Sequence, residues 1–141
     1  MIRQFHNYRN NMESKQVLVM KKFPKSSNLR TGKYVAQGSH ASVGALFSQG
    51  EIDGDYFKIP ITDPFVREWV TGRFKKITVY VETDEELVNI FNNAQAAGLL
   101  SCLIRDAGLT EFKGVPTLTA VGIGPGNPLE IDKITGNLSL F

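Results

Sequence analysis

Twice in this chain a β-branched apolar run leads into a helical stretch and then into another apolar run, and that repeat constrains the fold most. The first run, QVLVMKKF from Gln16, is bounded by the turn-forming PKSSN and reads as a buried strand. TGKYVAQGSHASVGALF follows with small and apolar residues at helical spacing and Thr31 as its expected N-cap. FKKITVYVE alternates and is β-branched, so it is the second strand. TDEELVNIFNNAQAAG is the clearest helix. Thr83 is its N-cap and Glu86, three residues on, completes a capping box. Leu87, Ile90, Phe91 and Ala94 make its apolar face, and Gly98 ends it. LLSCLIR is the third strand, and VPTLTAVGIG the fourth, with Pro116 at its beginning. Two strand–helix–strand passes imply parallel neighbours joined by right-handed crossovers, with helices on both faces of a small sheet. The expected fold class is α/β.

At 141 residues the chain is one domain, with residues 1–14, polar and without period, expected to be a loose arm outside a fold spanning 15–141. SQGEIDGDYFKIPITDP is interrupted by Gly50, Gly54, Pro60 and Pro64 and is expected to be a surface excursion. A short helix in DPFVREWVTG follows it, and the tail GNPLEIDKITGNLSLF allows one more turn of helix and a terminal extended piece. No apolar run approaches the roughly 18–20 residues that span a bilayer, and the N-terminus lacks a signal-peptide apolar region. The expected location is cytoplasmic. Cys102 is the only cysteine and sits inside an apolar strand, so it reads as a small core residue, and no Cys/His cluster has the spacing of a structural zinc site.

Net charge is only +2, yet residues 1–33 carry eight Lys and Arg against Glu13, or +7, leaving −5 on the remainder. Clustered cations gain by displacing the counterions of a polyanion, so the basic end points to a phosphate-rich partner or else to a solvated basic face.

In sheets of this type ligands bind beyond the carboxyl ends of parallel strands. Three clusters are expected there. Arg30, Thr31, Gly32 and Lys33 open the first helix, where free N–H groups and a lysine would hold an anion. Arg105, Asp106, Ala107 and Gly108 follow the third strand, and Gly122 to Gly126 follow the fourth, contributing only if that strand runs the same way. Lys33, Gln37, His40 and Gly44 form one line on the first helix, leaving Val35, Ala36, Val43, Leu46 and Phe47 to pack on the sheet. Lys33 opposes the helix dipole, so another group should hold it there. If Lys33 and Asp106 meet, they supply a cation for a developing oxyanion and a carboxylate to polarise water, with Thr110 near enough to position that water. Glu82, Asp84, Glu85 and Glu86 are explained by the helix start rather than by a metal. GIGPG is not a dinucleotide fingerprint, and the chain has no phosphate-binding Walker motif.

These positions also carry a family resemblance. GK-x-x-AQ-x-SHA, then LIRDAG, then GIGP followed by IDK-x-TG occur in the order and spacing of the archaeal and eukaryotic-type peptidyl-tRNA hydrolases, the Pth2 family, over roughly residues 15–141. The resemblance implies a four-stranded mixed sheet with helices on both sides and a homodimer. It also implies hydrolysis of the ester between a peptide, or an N-blocked amino acid, and the 3′ ribose of tRNA, with no metal or other cofactor and with peptidyl-tRNA as partner. Such an enzyme recycles tRNA from stalled translation. The family's active-site lysine and aspartate fall on Lys33 and Asp106 and its threonine on Thr110, while Arg30, Gln37, Ser39, His40, Arg105 and Gly108 are the expected substrate-binding residues. The chain departs from the family pattern at Gly38, where the residue is usually larger, and at Leu109 and Glu111, where Arg and Gln are common. Losing one cation and gaining an anion leaves open an alternative, a catalytically impaired module that binds tRNA or another polyanion on the same fold.

Overall fold

The computed structural model describes residues 13–141, so the expected N-terminal arm lies, through residue 12, outside the described residues. Within the remainder, Glu13 is exposed, whereas Ser14 is buried and its hydroxyl donates to the Gly126 carbonyl. The elements in chain order are β1 (Lys15–Lys21), α1 (Thr31–Phe47), β2 (Glu51–Asp53), β3 (Tyr56–Lys58), α2 (Pro64–Thr71), β4 (Lys76–Val81), α3 (Asp84–Ala96), β5 (Ser101–Asp106), β6 (Thr117–Gly126) and α4 (Pro128–Thr135).

Four strands form a mixed sheet in the order β4-β1-β6-β5. β1 and β4 are parallel neighbours, as a strand–helix–strand pass requires. The second pass ends differently. β5 does not pair with β4 but occupies the opposite edge, and β6 inserts between β1 and β5 antiparallel to both. β1, β4 and β5 therefore all point their carboxyl ends to one edge of the sheet, and β6 points the other way.

Side chains alternate across the sheet with period two. Val17, Val19, Val79, Val81, Val121 and Ile123 face Leu87, Ile90 and Ala94 of α3 and Ile131 of α4, forming the larger core. Leu18, Met20 and Ala120 face Ala41 of α1 on the other side. Thr83 caps α3 as expected, accepting from the Glu86 N–H, and the Glu86 carboxylate reaches back to the Thr83 hydroxyl and the Glu82 N–H, one residue before the N–H that a capping box would use.

α1 is held the reverse way to expectation. Its buried residues are Gln37, Gly38, Ala41, Ser42 and Ala45, while Val35 and Val43 are 63% and 50% exposed and Ala36 and Phe47 are also exposed. Space decides this. A Cβ built on Gly122 would lie 2.1 Å from the Ala41 carbonyl oxygen, and one on Gly44 would lie 2.7 Å from Cys102 Sγ, so only small side chains fit between helix and sheet. The polar residues on that face are satisfied. Ser42 donates to Gln16 Oε1, and Gln16 Nε2 donates to the carbonyls of Ser42 and Gly124.

The excursion after α1 contains a hairpin, β2 paired with β3, whose two-residue turn has Gly54 at φ +60°. Phe57 folds back to stack on Phe47 of α1 at 4.8 Å. The tail makes two turns of α4 and then runs along the outer edge of β4. There Tyr80 donates its N–H to the Ser139 carbonyl and Phe141 donates its N–H to the Thr78 carbonyl. That covers an otherwise open sheet edge.

Candidate functional site

The start of α1 and the end of β5 converge because β1 and β5 end at the same edge of the sheet. Arg30, not Thr31, is the N-cap of α1, with extended backbone and no side-chain cap, so Thr31 begins the helix itself. Two residues later Lys33 reaches across to the neighbouring loop.

Lys33 Nζ donates to Asp106 Oδ1 at 3.0 Å and to Thr110 Oγ1 at 2.8 Å. It also lies 5.3 Å from the centre of the Phe112 ring. These contacts are what hold a cation in the first turn of a helix against the dipole. Asp106 in turn accepts from Gln37 Nε2 at 3.1 Å on Oδ1 and from the Gly108 N–H at 2.8 Å on Oδ2. Gln37 is itself oriented by Thr119, whose hydroxyl donates to Gln37 Oε1 from near the start of β6. One connected chain of polar groups results, Thr119–Gln37–Asp106–Lys33–Thr110, in which Asp106 Oδ1 accepts from both Lys33 and Gln37.

Lys33 and Asp106 side chains are 11% and 15% exposed, so the pair is sheltered without being sealed off. Hydrogen bonding from Lys33, more than any other factor, holds the Asp106 carboxyl below the usual carboxylate range. Burial pulls the other way, and the Gly108 N–H, the charge of Lys33 and the Gln37 amide add to the lowering. Asp106 is therefore an anion at neutral pH. Gly108 cannot be replaced without moving this carboxylate, since its φ is +81° and a Cβ would lie 2.4 Å from the Val115 carbonyl oxygen.

Of the expected site residues, the structure brings together Lys33, Gln37, Asp106, Gly108 and Thr110. Arg30 joins through Glu111, its Nε lying 2.8 Å from Glu111 Oε1. Ser39, His40 and Arg105 are exposed and make no hydrogen bond to the cluster, the Ser39 hydroxyl being spent on the Val35 carbonyl one turn back. The glycines from 122 to 126 lie inside β6, which runs antiparallel, so its carboxyl end is at the far edge of the sheet, away from the cluster. Gly122 serves the close approach of α1 instead. Thr119 and Phe112 were not anticipated. A threonine inside an apolar strand was the available signal for Thr119, but nothing in the spacing singles out Phe112. Cys102 is half-buried behind α1, where burial pushes its thiol up.

Fold and cluster together define a class, a small α/β protein with a mixed sheet whose lysine, carboxylate and hydroxyl meet where parallel strands end, the edge at which ligands bind in such sheets. Within that class the chain belongs to the peptidyl-tRNA hydrolase PTH2 family, whose family model matches residues 14–141. It is 43% identical over 110 residues to the peptidyl-tRNA hydrolase of Methanocaldococcus jannaschii, spanning 78% of this chain and 87% of that one. The enzyme of the same name from Staphylothermus marinus is 39% identical over 131 residues, spanning 93% of this chain and 98% of its own. That from Methanopyrus kandleri is 39% identical over 127 residues, spanning 90% and 97%. Among the described residues no helix is long and apolar enough to cross a membrane.

Proposed function

We propose that this protein hydrolyses the ester joining a peptide, or an N-blocked amino acid, to the 3′ ribose of tRNA, releasing free tRNA in the cytoplasm. The observation that carries the reading is Lys33 Nζ, held between Asp106 Oδ1 and Thr110 Oγ1 at the carboxyl edge of the sheet. Membership of the family, and relatives that bear the name of that activity, support it.

An ammonium group has three N–H donors, and two of Lys33's are spent on Asp106 and Thr110. The third is left for the ester carbonyl, where it stabilises the oxyanion of the tetrahedral intermediate. Asp106 is a weak base, because its proton affinity lies further below neutrality than an ordinary carboxylate's. Its main work is electrostatic: it fixes Lys33 and accepts a hydrogen bond from the attacking water. The Thr110 hydroxyl oxygen accepts from Lys33 and has a second lone pair, so it takes a proton from the attacking water as its own proton passes to the departing 3′ oxygen, and the threonine ends the cycle unchanged. Arg30 and the basic start of the chain hold the tRNA backbone.

The same reading includes a homodimer formed through the reversed face of α1. Val35 and Val43 project there beside a groove of about 710 Å³ lined by Leu18, Met20, Tyr34, Thr78 and Phe141. A projecting apolar row next to an apolar groove on one surface is self-complementary, as a two-fold interface requires. Sedimentation of the wild type as a dimer and of Val43→Glu as a monomer is the expected outcome.

The activity is tested by release of the N-acetylaminoacyl group from tRNA in the presence of EDTA. Lys33→Ala and Asp106→Asn are compared with the wild type at matched folded concentration. Turnover by the wild type, reduced by roughly 100-fold to 10,000-fold in both variants, is expected. A wild type no faster than buffer that still binds tRNA would replace this reading with that of a binding module.

A further inference from the structure

Between Asp106 and Thr117 the chain makes a narrow-based loop. Gly108 and Gly114 both take positive φ, +81° and +79°, and the Gly114 N–H donates to the Gly108 carbonyl at 2.7 Å. Residues 109–113 are thereby pushed out as a flap with a fixed base. Three of them fasten it over the start of α1. Thr110 accepts from Lys33, and the Phe112 ring packs 5.2 Å from the ring of Phe23 and 5.3 Å from Lys33 Nζ. Glu111 pairs with Arg30. Lys33, the cation the reaction needs, lies beneath and is only 11% exposed.

The third fastening is flawed. Glu111 Oε2 is buried with no hydrogen-bond partner, the one side-chain atom in that state among the described residues. A carboxylate oxygen withdrawn from water and given no donor raises the free energy of whatever conformation holds it there. The shut flap carries that penalty, and a lifted flap returns the oxygen to solvent. Its partner is poised for exchange: the Arg30 side chain is 83% exposed and commits one nitrogen, Nε, to Glu111 out of five N–H donors. A phosphodiester offers a guanidinium two oxygens in matching geometry where Glu111 Oε1 offers one. Arg30 is also the N-cap of a helix whose first turn has no side-chain cap and no acidic residue, which favours an arriving anion over a retained cation pair.

We propose that the Arg30–Glu111 pair is a phosphate-operated latch. A phosphodiester near the 3′ end of the substrate takes Arg30 from Glu111, the 111–113 part of the flap lifts while Thr110, next to the fixed base, keeps its bond to Lys33, and Lys33 is uncovered only when nucleic acid is in place. The inference rests on the reading of the substrate as a tRNA ester. Short esters without phosphate find the flap shut and are hydrolysed slowly.

The test uses two substrates, the N-acetylaminoacyl ester of adenosine, which has no phosphate, and the same ester on the trinucleotide CCA, which has phosphodiesters. In the wild type kcat/KM favours the trinucleotide. Glu111→Gln, which keeps the shape and removes the charge, is expected to raise kcat/KM on the adenosine ester about threefold, the size of an ion pair with one partner in solvent. The trinucleotide ester should change less, so the preference shrinks. A fall on both esters by one factor, or no change in the preference, overturns the latch. If the wild type hydrolyses neither ester, the reading of the activity fails, and amide hydrogen exchange decides the latch separately. Exchange across residues 109–115 should be about threefold faster in Glu111→Gln than in the wild type, and equal exchange overturns it.

Discussion

Gln37→Glu places the sharpest demand on the polar chain described above, because it alters one atom and keeps the shape. Gln37 Nε2 donates to Asp106 Oδ1 at 3.1 Å, and Oε1 is occupied by the Thr119 hydroxyl, so the amide cannot turn round without losing both bonds. In the variant a carboxylate oxygen replaces the donor. Two unit negative charges about 3 Å apart at an effective dielectric of about 20 repel by roughly 5 kcal/mol. Protonating an ordinary glutamate at pH 7 costs only about 4 kcal/mol. The repulsion is the larger, so near neutrality the pair keeps one proton, and a protonated Glu at position 37 donates to Asp106 as the amide does. The folded pair thus holds its proton to a higher pH than the unfolded chain. Below the unfolded carboxylate range, near pH 4, variant and wild type should be about equally stable. From there the variant loses stability as pH rises, by about 3 to 4 kcal/mol at pH 7, levelling at roughly 5 kcal/mol once the folded pair has released its shared proton. Urea denaturation at pH 4.5, 6, 7.5 and 9 measures this directly. A variant whose stability tracks the wild type across that range would mean that Gln37 does not donate to Asp106 and that the chain of bonds is wrong.

Three further outcomes follow from the same structure. Because Asp106 is held below the usual carboxylate range, the acid limb of the hydrolysis rate should lie below about pH 4 in the wild type, and a limb at pH 5 or above would contradict the assigned hydrogen bonds. Glycine should prove replaceable by alanine at one site and not at another. At Gly38 the nearest atom to a built Cβ is Met20 Sδ at 3.6 Å, so Gly38→Ala should stabilise by about 1 kcal/mol in chemical denaturation, whereas Gly122→Ala, with the Ala41 carbonyl oxygen 2.1 Å away, should unfold at markedly lower denaturant. Thr83→Ala removes the acceptor for the Glu86 N–H and should cost about 1 kcal/mol in the same assay, with no change in turnover.

Much of the fold was legible because it is local. Strand periodicity marked β1, β4, β5 and β6, and cap chemistry fixed the start of α3 at Thr83. Sheet order was not legible, since no local signal tells β5 to pair with β6 rather than with β4; that choice is made by long-range packing. The hairpin over Glu51–Lys58 was passed over although its Gly54–Asp55 turn is a recognised signal, because the flanking strands are only three residues each and wholly exposed, leaving no alternation of burial to read.

The orientation of α1 shows where pattern reading and packing part. Hydrophobicity assigns Val35, Val43 and Phe47 to the sheet, and a helix at ordinary separation would obey it. Here Gly44 and Gly122 bring the helix so close that side-chain size outranks side-chain polarity, and Gln37, Gly38, Ala41, Ser42 and Ala45 turn inward. The consequence reaches the site. Gln37 touches Asp106 and Thr119 only because it lies on the buried face, and Lys33, one turn earlier on the same side, is thereby aimed at the end of β5. The aliphatic row displaced outward becomes the surface proposed for a second copy of the chain. One close helix–sheet approach therefore sets both the position of Lys33 and the face proposed for association. A bulkier residue at Gly122 should disturb the two together, while one at exposed Val43 should disturb association alone.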